Sequence, residues 1–256
     1  MLRLLPLTCI LLLLGWSDRL AGADFDQTHP AWNRLLASQV TNGLIRYAAI
    51  QSAPELLKGY LDEVAKVPEE QFKSWSRPNQ LAFLINVYNA ATVQLIVDHY
   101  PVTSIRKIGS VLKSPWKQDC VHLWGKVMTL DDLEHGIIRP QYTDPRVHFA
   151  LVCAAKGCPP LRNEAYVGTQ LNAQLDDQAR QFLSDTHKNR MEAERRTVYL
   201  SPIFKWYSSD FEAKGGNVLS FIRPYWPKST VAMLEAADSK VWYTEYDWTL
   251  NEQPVR

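Results

Sequence analysis

The sequence predicts a single α+β domain, in which a buried central helix packs on a small mixed or antiparallel sheet. Apolar residues recur at helical spacing early in the chain, and the most apolar stretch of residues 24–256 runs from Gln80 to His99. Strand patterns follow later and are interspersed with helices, whereas a doubly wound fold alternates the two regularly. No Gly/Ser-rich or Pro-rich linker divides residues 24–256, so we expect one domain there.

The first 23 residues have the pattern of a cleavable secretory signal peptide. Arg3 supplies a positive start, the run Leu4–Leu14 is apolar, and Ala21–Ala23 has the small-x-small form that signal peptidase accepts. The apolar run is shorter than a membrane span of about 20 residues, so we expect no membrane anchor after cleavage. The mature chain is predicted to begin at Asp24 and to be exported, to the periplasm in a Gram-negative source and otherwise to the medium.

Helices dominate the first part of the mature chain. Segment His29–Val67 carries apolar residues mostly at helical spacing, and a short alternating piece at 43–47 within it is typical of a strand. Segment Gln80–His99 is apolar nearly all round, which is typical of a buried helix. Asn86 and Asn89 lie three residues apart, so both amides project from one face of that helix.

A short helix is predicted from Leu130 to about Ile138, where Thr129 and Asp132 form a capping-box start. Glu134 falls within the apolar stripe of this helix, and His135 lies at the edge of the stripe. A carboxylate in such a place needs a hydrogen-bond donor or a proton. Glu134 is therefore either a structural acid or a functional one, and the pattern favours neither.

The segment Arg146–Cys153 is almost continuously apolar and indicates a central strand covered on both faces. Alternate residues of a strand face opposite sides, so His148 and Cys153 are not expected to meet. A thiol–imidazole pair then requires the strand to end before Cys153, or requires His135 to take part. Further elements are predicted downstream: a helix within 168–194, strands at Thr197–Phe204 and Val241–Thr249, and a short helix at Asn217–Trp226.

Three cysteines remain after cleavage, and the exported compartment is oxidising. Cys153 precedes a turn with Lys156 close by, where free amides could stabilise a thiolate. A Cys153–Cys158 disulfide across the four-residue gap is sterically possible. Cys120 could replace either partner, so the three pairings stay open and one thiol is left over.

Composition and spacing exclude several function classes. The chain has 28 Lys and Arg residues against 27 Asp and Glu residues, which argues against a nucleic-acid partner found by bulk charge. It carries no nucleotide-binding glycine motif and no dedicated zinc-ligand spacing, so no cofactor and no metal is predicted. The expected partner is a small molecule or a peptide, and the sequence does not predict an oligomeric state.

Several blocks of the chain follow one another in the pattern of a known family. They are segments 83–90, 129–139, 146–153, 157–159, 204–207 and 246–251, together with Tyr166, Asp210 and Phe211. These blocks resemble the family catalogued as domain of unknown function 547, and they run in the family's order over almost all of residues 24–256. One departure is Leu84, where many members carry Trp. The family's activity is not established, but members joined to glutaredoxin-like domains imply thiol chemistry.

Three functions are consistent with these residues. The first is a cysteine-dependent hydrolase or acyl transferase, in a cysteine-protease-like or transglutaminase-like arrangement, acting on an envelope amide or thioester. Its catalytic candidates are Cys153 as nucleophile, His135 or His148 as base, and Glu134 or Asn86 as orienter or oxyanion donor.

The second is a non-catalytic envelope binding module, and the third is a thiol–disulfide exchange protein that uses the Cys153–Cys158 pair. In the binding module, Asn86, Glu134 and Arg146 form a buried polar network, and aromatic residues present a groove. The binding candidates are Asn89, Arg146, Trp206 and Trp248.

Overall fold

The structure is a computed structural model that describes residues 24–110, 113–226, 228–235 and 240–254. The predicted signal peptide lies outside the described residues. The α-helices are α1 Pro30–Gln39, α2 Tyr47–Ser52, α3 Glu55–Ala65, α4 Glu69–Ser74, α5 Arg77–His99, α6 Arg139–Tyr142, α7 Leu171–Ser184, α8 Ile203–Trp206, α9 Ser208–Gly215, α10 Val218–Ile222 and α11 Lys228–Glu235. The strands are β1 Val40–Thr41, β2 Leu44–Ile45, β3 Asp119–Leu123, β4 Lys126–Thr129, β5 Arg190–Glu192, β6 Thr197–Leu200 and β7 Lys240–Tyr243.

Helix α5 is the centre of the fold and corresponds to the predicted buried helix at Gln80–His99. It begins where the Ser76 hydroxyl accepts a hydrogen bond from Asn79 N–H, and almost every side chain from Gln80 to Val97 is buried. By length and composition alone α5 could cross a membrane, but 94% of its most apolar window is buried inside the fold. Its apolar surface is therefore covered by protein.

The strands form three small sheets, and the α+β prediction is confirmed. Strands β1 and β2 form one antiparallel pair, and β3 and β4 form another. Strand β6 pairs antiparallel with β5 and parallel with β7, so the third sheet is mixed. A second apolar cluster, which includes Phe149, Phe182, Phe204 and Phe211, lies beside the core that α5 dominates.

The prediction of a strand at Arg146–Cys153 is wrong. Residues Pro145–Phe149 form a 3-10 turn that begins where the Asp144 carboxylate accepts a hydrogen bond from Arg146 N–H at 3.0 Å. The amides of Ala150 and Leu151 then both bond to the Val147 carbonyl at 2.9 Å. Strand parity therefore places no constraint on how His148 and Cys153 are oriented.

Other predicted elements are found with shorter bounds. The alternating pattern at 241–249 forms a strand only as far as Tyr243, and residues 246–251 run as an extended segment across the end of the fold. We call residues 246–251 the C-terminal segment. The predicted short helix after Thr129 is present, but residues Asp132–Ile138 are π-helical, so the Arg139 amide bonds five residues back to the Glu134 carbonyl.

Candidate functional site

A cavity of about 390 Å³ opens between the π-helical segment, the disulfide loop, helix α8 and the C-terminal segment. We call it the central cavity. A larger groove of about 630 Å³, lined by α3, α5 and β3, contains the free Cys120. We place the functional site in the central cavity because coupled ionisable groups line it. Its polar and sulfur-bearing lining residues are Tyr88, Asp131, Glu134, His135, Arg139, His148, Cys153, Cys158, Tyr207 and Tyr246.

Glu134 is the buried carboxylate of this cavity. Its helix starts as the sequence predicts, because Thr129 and Asp132 exchange the two hydrogen bonds of a capping box at 3.0 Å. Glu134 is 6% exposed and accepts a hydrogen bond from the Tyr207 hydroxyl at 2.8 Å. Tyr88 lines the same cavity and lies close enough for the Glu134 charge to act on its hydroxyl. Burial, followed by the Glu134 charge, raises the pKa of both tyrosines, so both stay protonated donors.

Asp210 joins His148 and Arg139 into one unit behind the cavity wall. Its carboxylate accepts two hydrogen bonds from the Arg139 guanidinium at 2.8 and 2.9 Å, and one from His148 Nε2 at 2.8 Å. These bonds, His148 first and Arg139 second, hold the pKa of Asp210 well below its usual range. Burial lowers the pKa of His148 although Asp210 opposes that shift, so the neutral imidazole dominates at neutral pH.

His135 lies at the rim of the cavity, on the exposed side of the π-helical segment. Its Nδ1 accepts a hydrogen bond from Arg139 Nη1 at 2.7 Å, and its Nε2 lies 3.5 Å from the Asp131 carboxylate. Because arginine always donates, Nδ1 is the acceptor in this contact, and Nε2 is the ring nitrogen that faces Asp131.

Cys153 and Cys158 form a disulfide in the wall of the central cavity. The Cys153 backbone N–H points to Cys158 Sγ at 3.0 Å. The Tyr246 hydroxyl lies 3.2 Å from Cys153 Sγ and 3.1 Å from Cys158 Sγ. Cys158 is buried, with 2% exposed, whereas Cys153 is only partly buried. In this state Cys153 is not a free thiolate.

The disulfide loop is fixed from two sides. Before it, the Asn89 side chain donates to the Ala150 carbonyl and accepts from the Val152 N–H, each at 2.9 Å. Within it, the Lys156 N–H bonds to the Thr249 carbonyl and the Gly157 N–H to the Asp247 carbonyl, each at 2.8 Å. The C-terminal segment thereby sets the position of Tyr246 against the sulfurs.

Aromatic rings surround the mouth of the cavity. The Trp206 ring stacks at 5.9 Å on Trp248, and Tyr246 packs against both, at 4.8 and 4.5 Å between centroids. Trp116 closes the other side of Trp248 at 5.8 Å, edge to face. Trp206 is 49% exposed. The mouth therefore includes an indole that is about half exposed.

Some predicted site residues lie outside this cavity. Both polar atoms of the Asn86 side chain bond to the backbone of Tyr166, at 2.8 and 3.0 Å. Arg146 is held by Asp144 and Asp176 at 2.6 and 2.7 Å. Asn86, Glu134 and Arg146 thus bind separate partners and do not form the single polar network predicted for a binding module.

Cys120 also lies apart from the disulfide. It remains a free thiol, and burial raises its pKa to about 11. A thiol with that pKa is almost entirely protonated at neutral pH and is a weak nucleophile.

Sequence reasoning missed the residues that complete the site, namely Tyr88, Arg139, Tyr207, Asp210 and Tyr246. All of them except Asp210 lie in segments that carry the family resemblance, namely 83–90, 129–139, 204–207 and 246–251. Asp210 lies three residues after segment 204–207. Each has an ordinary surface or core role when considered singly. Only the fold shows that they converge on Glu134, His148 and the disulfide.

Comparison with known proteins finds a family but no activity. Residues 72–183 match the family model described as "Protein of unknown function, DUF547". No curated protein and no solved structure matches. The matched region includes Glu134, His148 and both bonded cysteines, whereas Tyr207, Asp210 and Tyr246 lie beyond it.

Proposed function

We propose that this chain, which belongs to the DUF547 family through residues 72–183, is a thiol–disulfide exchange protein whose redox pair is Cys153 and Cys158. One observation carries the proposal. Two donors, the Cys153 N–H and the Tyr246 hydroxyl, converge on Cys158 Sγ at 3.0 and 3.1 Å. Donors in that position stabilise the negative charge that Cys158 takes up when the disulfide opens.

The exchange starts at Cys153, because Cys153 is the more exposed residue of the two. A substrate thiolate attacks Cys153 Sγ, the bond between the two protein sulfurs breaks, and its electron pair goes to Cys158 Sγ. A second substrate thiolate attacks the substrate sulfur of the mixed disulfide and releases Cys153 as a thiolate. Two substrate thiols are thereby oxidised to a disulfide, and the protein disulfide is reduced to a dithiol that takes up two protons.

Equilibration in dithiothreitol redox buffers, followed by iodoacetamide trapping and mass spectrometry, tests the proposal. We expect the pair to cycle reversibly in folded protein at a potential more positive than about −300 mV, since structural disulfides lie below that value. In a glutathione buffer, whose mixed disulfides cannot cyclise, Cys158→Ser should accumulate a mixed disulfide on Cys153. Cys120→Ser should behave as wild type. A pair that stays oxidised until the protein unfolds would exclude the exchange function.

A cysteine-dependent hydrolase or acyl transferase is a second candidate, supported by the position of His148. Its Nε2 is held by Asp210, and its Nδ1 has no hydrogen-bond partner among the described residues, although the ring lines the cavity that contains Cys153. After reduction, His148 could act as base for Cys153. Reduced protein should then release product from a thioester or amide with a burst that Cys153→Ala abolishes. Absence of turnover by fully reduced protein would count against it and leave exchange or simple binding.

We also propose that the chain acts outside the cytoplasm, on the basis of its first 23 residues. Cell fractionation and N-terminal sequencing of the protein purified from its source test this. The mature chain should begin at Asp24. A protein that retains Met1 and stays in the cytoplasm would refute the export proposal without touching the exchange chemistry.

A further inference from the structure

We infer that the central cavity binds an organic cation, so that the thiol or disulfide exchanged at Cys153 carries an ammonium group. The second half of this inference rests on the proposed exchange function, and the first half does not. It follows from the charges that line the cavity and from the rings that surround its mouth.

The charges around the cavity leave one buried carboxylate without a cation. Arg139 is paired with Asp210 through two hydrogen bonds, which leaves Glu134 and Asp131 as the remaining acids. Glu134 is 6% exposed, and the Tyr207 hydroxyl donates a hydrogen bond to it at 2.8 Å. Among the described residues, no Lys, Arg or His nitrogen lies within salt-bridge distance of it.

The two histidines do not supply that cation. The two ring nitrogens of His135 contact Arg139 and Asp131 and not Glu134, and burial favours the neutral form of His148. A buried carboxylate without a counter-ion is costly, and a ligand ammonium beside Glu134 would remove that cost.

The aromatic mouth fits the same ligand class. Trp and Tyr faces attract cations through the ring quadrupole, and aromatic boxes of this kind recognise alkylammonium groups. The Trp248 ring already contacts a cation within the chain, since the Arg106 guanidinium carbon lies 5.3 Å from its centroid. Trp206 keeps a largely exposed ring, with 49% of its surface accessible.

The cation site and the disulfide belong to the same cavity. Glu134 and both cysteines line it together with Tyr246, whose hydroxyl touches both sulfurs. Burial first, and the Glu134 charge second, raises the pKa of Tyr246. A cavity of about 390 Å³ suits a small molecule rather than a large one. A short chain that bears an ammonium at one end and sulfur at the other would reach both features.

Choline and 3,3-dimethylbutan-1-ol test the charge requirement, because they have nearly the same shape and differ in the positive nitrogen. Quenching of tryptophan fluorescence should show that choline binds at least about tenfold more tightly than 3,3-dimethylbutan-1-ol, a difference of about 1.4 kcal/mol in binding free energy. Glu134→Gln keeps an acceptor for Tyr207 and should reduce the ratio to near one. Trp206→Leu should weaken choline binding, whereas Trp242→Leu, at a ring 60% exposed on β7, should not.

Cystamine and bis(2-hydroxyethyl) disulfide test the link to exchange. Reduced protein should react with cystamine at least about tenfold faster in kcat/KM than with bis(2-hydroxyethyl) disulfide, and Glu134→Gln should bring the ratio of the two rates to near one. Glu55→Gln, at an exposed carboxylate on α3, should retain the preference. Equal rates for the two disulfides in a protein that cycles would overturn the cation inference. Choline binding by a protein whose cysteines never cycle would keep the ligand class and overturn the exchange function.

Discussion

Asp210 holds His148 by accepting a hydrogen bond from its Nε2 at 2.8 Å, across 62 residues of chain. Because the carboxylate can only accept, the imidazole proton sits on Nε2 and the Nδ1 lone pair is free. The Tyr207 ring stacks on the same imidazole at 3.8 Å between centroids. His148 is thus fixed in both orientation and tautomer, which a residue that moves a proton requires.

Asp210→Asn should destabilise the protein by about 2 kcal/mol at neutral pH, because it weakens charge-assisted hydrogen bonds to His148 and Arg139. The folded pKa of Asp210 is lowered, so this stabilisation is complete above the unfolded pKa of about 3.9 and is lost as pH falls further. Urea denaturation of both proteins should therefore show a difference that shrinks in acid. Glu194→Gln, at an exposed carboxylate, serves as the control, and a difference that grew below about pH 4 would contradict the assignment.

Tyr246→Phe should slow reduction of the disulfide by about tenfold or more. The substitution removes one of the two donors to Cys158 Sγ, and a hydrogen bond to a charged group contributes about 1.5 to 3 kcal/mol. Stopped-flow reduction by dithiothreitol measures the rate, and Tyr243→Phe, on exposed strand β7, is the matched control. Equal rates for the two variants would show that the hydroxyl does not stabilise the leaving thiolate.

Gly157→Ala should lower the free energy of unfolding by about 1 to 3 kcal/mol, as overpacking does. A Cβ there would lie 2.9 Å from Cδ1 of Tyr246 and 3.0 Å from the backbone N and O of Asp247. Gly59→Ala is the matched control, since its Cβ would meet nothing within 4 Å in the middle of α3. That change should raise stability by up to about 1 kcal/mol. Thermal unfolding of both variants shows whether the loss of stability comes from the tight contact at residue 157 or from replacing glycine by alanine in general.

Asn89→Leu should destabilise the protein by about 3 kcal/mol, because it leaves the Ala150 carbonyl and the Val152 N–H without partners in a buried place. Hydrogen exchange should then accelerate at residues 150–158 more than in the rest of the fold. Asn163→Leu, at an exposed position, should leave stability nearly unchanged. Uniform acceleration across the chain would mean that Asn89 supports the whole core rather than the disulfide loop.

The features that local pattern predicts well are those that depend on burial and capping. The helix at Gln80–His99 is apolar on all sides, and no other arrangement of so long a segment hides it as completely. Thr129 and Asp132 are three residues apart, and their mutual hydrogen bonds form within one turn. Glu134 occupied an apolar stripe, and the structure buries it.

The features that pattern predicts poorly depend on partners distant in sequence. The apolar run at 146–153 is compatible with a strand or with any other buried backbone. The hydrogen bonds that Asn89 on α5 and Asp144 make with this segment stabilise a 3-10 turn and a loop instead. Asp210 and Tyr246 lie 62 and 93 residues beyond His148 and Cys153. Their roles follow from packing of the second apolar cluster and of the C-terminal segment, which no local spacing encodes.

The C-terminal segment also determines when the site can exist. It supplies Tyr246 and Trp248 to the cavity, and Asn251 ties it to the start of the fold through the Tyr47 hydroxyl and the Ile45 amide. A nascent chain therefore carries both cysteines for about 90 residues of synthesis without the wall that positions them. Until residue 251 has left the ribosome, the sulfurs lack the Tyr246 hydroxyl that lies beside them in the folded protein.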